Sequence, residues 1–223
     1  MTFVRQAVAI AGKDLRVETR GRHALGTLLP FAGTLLVSFG FAFGPGREVL
    51  QQTAPGLLWM AVLFAGVMAA RRAYQAEAED GALEGLLLAP VDKAAVFVGK
   101  AVAVAVELGA LVAAILVLVV ALFDLSLGSP LPMLAAFALG SVGLAAIGGL
   151  FGVVAEAART REAIFPMIVL PLATPVLVAG VRATDLAAAG RAGEALSWLG
   201  LLVAFDVVFV SAGVLVFGYL MED

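Results

Sequence analysis

Six stretches of this chain are apolar for too long to sit in water: about 24–43, 54–73, 95–121, 131–155, 163–181 and 198–220. The hydrocarbon core of a bilayer is about 30 Å thick and an α-helix rises ~1.5 Å per residue, so about 20 apolar residues cross it once. In lipid every backbone amide and carbonyl must be bonded within the protein, and a helix achieves this inside one segment. Six such runs in 223 residues leave room for a single membrane domain over 1–223, with residues 1–22 as an N-terminal arm. The fold expected is an all-α integral membrane protein with six transmembrane helices.

Composition agrees. The chain is 62% hydrophobic and 14% charged, whereas a soluble domain would be about half apolar and a quarter charged. A net charge of −3 gives no reason to expect nucleic acid, and the absence of cysteine rules out disulfides and thiolate chemistry. The breaks between spans carry turn residues: GPGRE after the first, LGSP after the third, and a Gly/Arg/Glu cluster before the last.

Lysine and arginine set the expected orientation. Arg5, Lys13, Arg16, Arg20, Arg22, Arg71, Arg72, Lys93, Lys100, Arg159 and Arg161 fall on one side, eleven in all; Arg47, Arg182 and Arg191 fall on the other. Both termini are therefore expected in the cytoplasm. The first span does not read as a cleaved signal peptide, because its charged leader is long and no small-x-small site follows it.

Residues 3–22 wind as an amphipathic helix. Phe3, Val4, Ala7, Val8, Ala11 and Leu15 share one face, and Arg5, Lys13, Arg16 and Arg20 lie opposite. Such a helix suits the membrane interface, as a simple anchor or as a partner dock. Asp14 and Glu18 intrude on the apolar side one turn apart, where Arg22 or another subunit would be needed to pair them.

Between spans 2 and 3 the chain reads EAEDGALEGLLLAP. Glu77, Glu79, Asp80 and Glu84 cluster on a side where basic residues are the rule. Asp80-Gly81 favours a turn, residues 82–88 suit a short helix carrying Leu83, Leu86 and Leu87, and Pro90 stops it. The pattern fits a leucine knob with an acidic rim that inserts into another protein. It fits equally a solvated connector whose leucines rest on lipid.

Three spans hold polar or irregular features. Glu107 falls near the middle of span 3 and Asp206 inside span 6, at similar depth by helix rise. A carboxylate there costs on the order of 2.5–3.5 kcal/mol and so faces protein or water; the pair reads either as the lining of a pathway or as protonated acids bonded between helices. Span 4 carries Ser141, Ala145 and Gly149, and Gly148 and Gly152, at four-residue spacing that lets helix backbones approach. Span 5 carries Pro166, Pro171 and Pro175, each expected to kink the helix, with a cavity lining or a structural bend as the outcome.

Catalytic and metal-binding motifs are missing from the sequence. There is no phosphate-binding Gly-x-x-x-x-Gly-Lys-Ser/Thr loop, no Ser/His/Asp set and no Gly-x-Ser-x-Gly elbow. The only histidine, His23, stands at the start of span 1. Energy for any work this chain does is expected from elsewhere. A stand-alone proton-coupled carrier would have to use Glu107 and Asp206.

KDLRVETR (Lys13–Arg20), APGLLWMAVLF (Ala54–Phe64), EDGALEGLLLAP followed by VGKAVA, and LPLATPVLVAG (Leu170–Gly180) together resemble the haem exporter protein B family, the CcmB-type permeases of cytochrome c maturation. The likeness covers nearly the whole chain in order, though Ala82 stands where the family pattern favours threonine. It implies an ABC-2-type exporter permease in the bacterial inner membrane, with both termini cytoplasmic. It implies an ABC ATPase subunit that binds ATP, a haem-handling membrane protein, a small accessory membrane subunit and two copies of this chain per complex. The coupling helix that docks on the ATPase would then fall on Glu79–Leu88, with Glu77, Glu79, Asp80, Gly81, Leu83, Glu84, Leu86 and Leu87 as the docking residues. No cofactor is expected on this chain itself; the complex handles haem, for export or for release of a haem-loaded periplasmic chaperone. Permeases of other two-component exporters, for lipid, drug or polysaccharide, would share the docking element.

Overall fold

The computed structural model describes residues 2–21, 24–44, 46–79, 91–157 and 164–220. Seven α-helices occupy nearly all of them: α1 (Phe3–Gly21), α2 (Leu29–Phe43), α3 (Arg47–Glu79), α4 (Lys93–Phe123), α5 (Pro130–Ala157), α6 (Ile164–Ala188) and α7 (Ala192–Leu220). A π turn, Ala24–Leu28, leads straight into α2. Six segments are long and apolar enough to cross a membrane: the π turn with α2, from Gly26 to Phe43, and the helices α3–α7.

Several helices outrun their apolar runs. α3 starts at Arg47, seven residues before the apolar run at 54, and passes through Pro55. The stretch 182–197, which reads as a loop, is mostly helix: α6 and α7 are joined only by Ala189–Arg191. Gly190 there takes φ 76, a left-handed conformation glycine adopts without penalty. Hydropathy marks the part of a helix that meets lipid, whereas the helix itself runs on until something breaks its backbone bonding. Pro166 is the third described residue of α6. Pro171 and Pro175 are interior, and α6 is continuous through both.

α5 is the central helix, in contact with α3, α4, α6 and α7. Lipid tails are as apolar as leucine, so burial alone does not drive helices together in a bilayer; close packing and hydrogen bonds do. Trp59 of α3 shows both. Its side chain is fully buried, against Phe137 at a ring separation of 6.0 Å. The indole occupies space that Gly140 of α5 and Gly180 of α6 leave open: a Cβ would stand 2.1 Å from the ring at Gly140 and 2.5 Å at Gly180. Its Nε1–H donates to Thr184 Oγ1 of α6 at 2.9 Å. Further along, Gly148 of α5 sits against Ala70 of α3, and Gly213 of α7 against the ring of Phe97 of α4.

At the end of the bundle away from α1, Asp124 caps α4 in the left-handed conformation, φ 53. Its carboxylate accepts from Arg47 Nε at 2.9 Å and from Gln51 Nε2 at 3.0 Å, tying α3 to α4. Ser129 N–H donates to Ala187 O at 2.8 Å and fastens the α4–α5 link to the end of α6.

The tryptophan wedge gives a direct test. Gly180→Val forces a side chain into the indole and is expected to cost about 1–3 kcal/mol as overpacking. Gly200→Val, at a position with nothing within 4 Å of its Cβ, is expected to stay within roughly 0.5 kcal/mol. Thermal unfolding in detergent micelles measures both.

Candidate functional site: the braced root of the 80–90 segment

The sequence singles out residues 77–87. Glu77 and Glu79 fall in the last turn of α3, while Asp80, Gly81, Leu83, Glu84, Leu86 and Leu87 lie outside the described residues. The two ends from which that segment springs are described; α1 packs along the start of α4 and reaches α3 through the Arg72–Glu18 ion pair.

On the return side, Asp92 caps α4: its side chain accepts from Ala94 N–H at 2.9 Å. The Asp92 N–H in turn donates to Gln6 Oε1 of α1 at 3.3 Å. About two turns further on, Gly99 lets the helices touch; a Cβ there would stand 2.8 Å from the Ala7 carbonyl oxygen and from Ile10. Ala7 and Ala11 are buried in this contact, whereas Val4 and Val8 remain 67% and 65% exposed. The apolar side of the arm is therefore divided. One stripe packs on α4, and the other is left for lipid.

Asp14 and Glu18 continue the packed stripe, and they pair within this chain. Lys100 Nζ lies 3.3 Å from Asp14 Oδ2 and donates to the Ala73 carbonyl of α3 at 2.9 Å. The Lys100 side chain is 1% exposed, and an ammonium buried that deeply persists only with such partners. Arg72 of α3 meets two acids: Nη2 donates to Glu107 Oε1 of α4 at 2.6 Å, and Nη1 stands 3.6 Å from Glu18 Oε2. Arg22, the alternative partner read from the sequence, lies outside the described residues.

Glu107 is thus held by a counter-charge from α3. Asp206 sits elsewhere, on α7, with Oδ1 2.8 Å from the place of a Gly143 Cβ and beside Val176 and Phe205. It is buried, and neither oxygen has a hydrogen-bond partner among the described residues. No hydrogen bond or ion pair joins these two acids among the described residues. Sequence spacing gave them similar depth but could not say which faces they occupy. The signal for the ion pairs was nevertheless present: two acids on the apolar side of an arm, and two bases, Arg72 and Lys100, at the edges of spans.

An apolar cleft of about 420 Å³ opens between α2, α3 and α4 at the other end of the bundle, lined by Leu36, Val37, Phe41, Leu50, Leu122 and Phe123. Such a lining offers no axial ligand to a haem iron. No group of metal-binding side chains occurs among the described residues.

The architecture is that of a multi-pass, all-α membrane protein with an N-terminal helix bound to its own bundle. The family model described as CcmB protein matches residues 5–219, and the chain belongs to that family. It is 30% identical to "Heme exporter protein B" of Rhodobacter capsulatus over 207 residues, covering 91% of this chain and 93% of that one. It is 30% identical to the protein of the same name from Paracoccus denitrificans, over 82% and 84% of the two chains. With the one from Pseudomonas aeruginosa the identity is 28% over 87% and 88%.

The ion pairs at this site are expected to be strongly coupled. Arg72→Met takes from the buried Glu107 the counter-charge it bonds at 2.6 Å and should destabilise by about 3–5 kcal/mol, whereas Arg72→Met combined with Glu107→Met should recover most of that loss. A double-mutant cycle on thermal stability in micelles reads the coupling.

Proposed function

We propose that this chain is the permease subunit of an ABC-type transporter serving cytochrome c biogenesis, with ATP hydrolysed by a separate subunit. The observation that carries the reading is membership of the CcmB protein family over residues 5–219, whose relatives bear the name "Heme exporter protein B". The work of such a subunit is mechanical. The ATPase docks on Glu77–Leu87, with the leucines supplying contact and the acids specificity. The start of α4, where that segment returns to the bundle, is braced by α1, and an ion pair ties α1 to Arg72 of α3, which suits a place where force enters the bundle. Both termini and the docking segment face the cytoplasm of a bacterial inner membrane, in keeping with the excess of lysine and arginine at that end. Two copies of the chain, a haem-handling membrane protein and a small accessory membrane subunit complete the complex.

Within this reading, ATP drives release of a haem-loaded chaperone rather than passage of haem through this chain. A haem path toward the outside would need axial ligands. The sole histidine, His23, lies at the inner end of the first span, and the apolar cleft at the other end has none. Glu107, which a proton-coupled carrier would require, is engaged by Arg72.

The test is charge reversal on the docking segment. Glu79→Lys with Glu84→Lys should weaken co-purification of the ATPase by about tenfold or more, since like charges set against each other at an interface cost several kcal/mol. Unchanged ATPase binding in that double variant would remove the docking assignment. An ATPase partner found without haem or a haem-handling protein would point instead to another two-component exporter.

A further inference from the structure

We infer that Arg72 is a partner-exchanging link, passing movement of the docking segment into α4 and the arm; the inference rests on the docking reading above. Arg72 stands seven residues before Glu79 on one unbroken helix, so α3 is a continuous rod from the link to the root of the segment. Its guanidinium lies between carboxylates of two different helices and serves them unequally. Glu107 receives a hydrogen bond of 2.6 Å, while Glu18 stands at 3.6 Å. The Nη1 and Nε atoms are buried and make no hydrogen bond among the described residues.

A guanidinium presents five donors in a rigid fork, and buried donors left unfilled are costly. A merely structural pair would be expected to fill them. Here the unfilled donor Nη1 stands 3.6 Å from the second carboxylate. A small rotation of α3 would close the Glu18 distance as the Glu107 bond opens, replacing one carboxylate with another of the same charge. With that exchange the element would have two discrete pairings, which is what a transmitting contact requires. Lys100 does not share this freedom: bonded to Asp14 and to the Ala73 carbonyl, it holds α1, α3 and α4 at one point. α3 pivots about that point, and Arg72, the neighbouring residue, changes partner.

The test uses the full membrane complex carrying Arg72→Gln, Arg72→Lys or Glu18→Gln, with three readouts: co-purified ATPase, ATP hydrolysis, and covalent c-type cytochrome formed in cells. For Arg72→Gln, ATPase binding and hydrolysis are expected to persist. Cytochrome formation should fall by about three- to thirtyfold, the range of coupling changes such residues carry. Arg72→Lys keeps the charge and should restore part of the loss. Undiminished cytochrome formation would overturn the inference. So would loss of ATPase binding at normal membrane levels, since Arg72 would then belong to the docking surface. If Arg72→Gln does not accumulate in the membrane, Glu18→Gln leaves the Glu107 bond whole and is expected to give the same uncoupling; normal cytochrome formation there overturns the inference equally. A wild-type complex without any ATPase would strike the docking reading itself, a result distinct from all of these.

Discussion

The indole of Trp59 holds the centre of this bundle. In a bilayer, apolar side chains gain little by leaving lipid for protein, so helices associate where their surfaces fit and where a polar group finds a partner. Trp59 supplies both conditions. It fills the space left by two glycines on two helices and bonds Thr184 in the interior. Because it belongs to α3 and its neighbours to α5 and α6, one side chain fixes the relative placement of three spans. The pairs Gly148–Ala70 and Gly213–Phe97 extend the same principle to the rest of α5 and to α4 and α7. Electrostatic ties then close the ends: Arg47 and Gln51 on Asp124 at one, and Lys100 and Arg72 with the arm at the other.

The two ends differ in kind. The end with the short links is fastened directly, by exposed or half-exposed groups of adjoining helices. The end bearing α1 is fastened by ions inside the protein. A buried ion pair is a poor source of stability, since desolvation offsets much of the attraction. Its better-attested use is to fix one arrangement among alternatives. The ions at this end bind a separate helix, α1, to α3 and α4, the helices that lead into and out of the segment proposed to receive an ATPase. That placement gives the arm a role beyond attachment to lipid.

Much of this was legible in the sequence, and the exceptions have physical reasons. Six runs of about 20 apolar residues declare six spans, because lipid punishes anything shorter or more polar. The ends of the helices were less visible: α3 gains residues before 54 and after 73, and α6 reaches Ala188, because polar residues continue a helix without an apolar signal. Asp14 and Glu18 announced themselves by standing on the wrong face of the arm, although the sequence could not name Lys100 and Arg72 as their partners. Glu107 and Asp206 shared a depth by counting residues. Azimuth, which periodicity does not supply in a helix apolar all round, sends one to Arg72 and the other toward Gly143.

The central claim is that the 80–90 segment meets an ATP-hydrolysing protein, and the absence of cysteine from the chain allows a clean measurement. A single thiol introduced as Glu84→Cys can be joined through a short thiol-to-amine cross-linker in native membranes, with Leu127→Cys, on the α4–α5 link at the other end of the bundle, as the comparison. A covalent adduct containing the ATPase subunit is expected from position 84 and not from position 127. Capture from position 127 alone, or reaction of the thiol at 84 with an impermeant reagent outside intact cells, would contradict it.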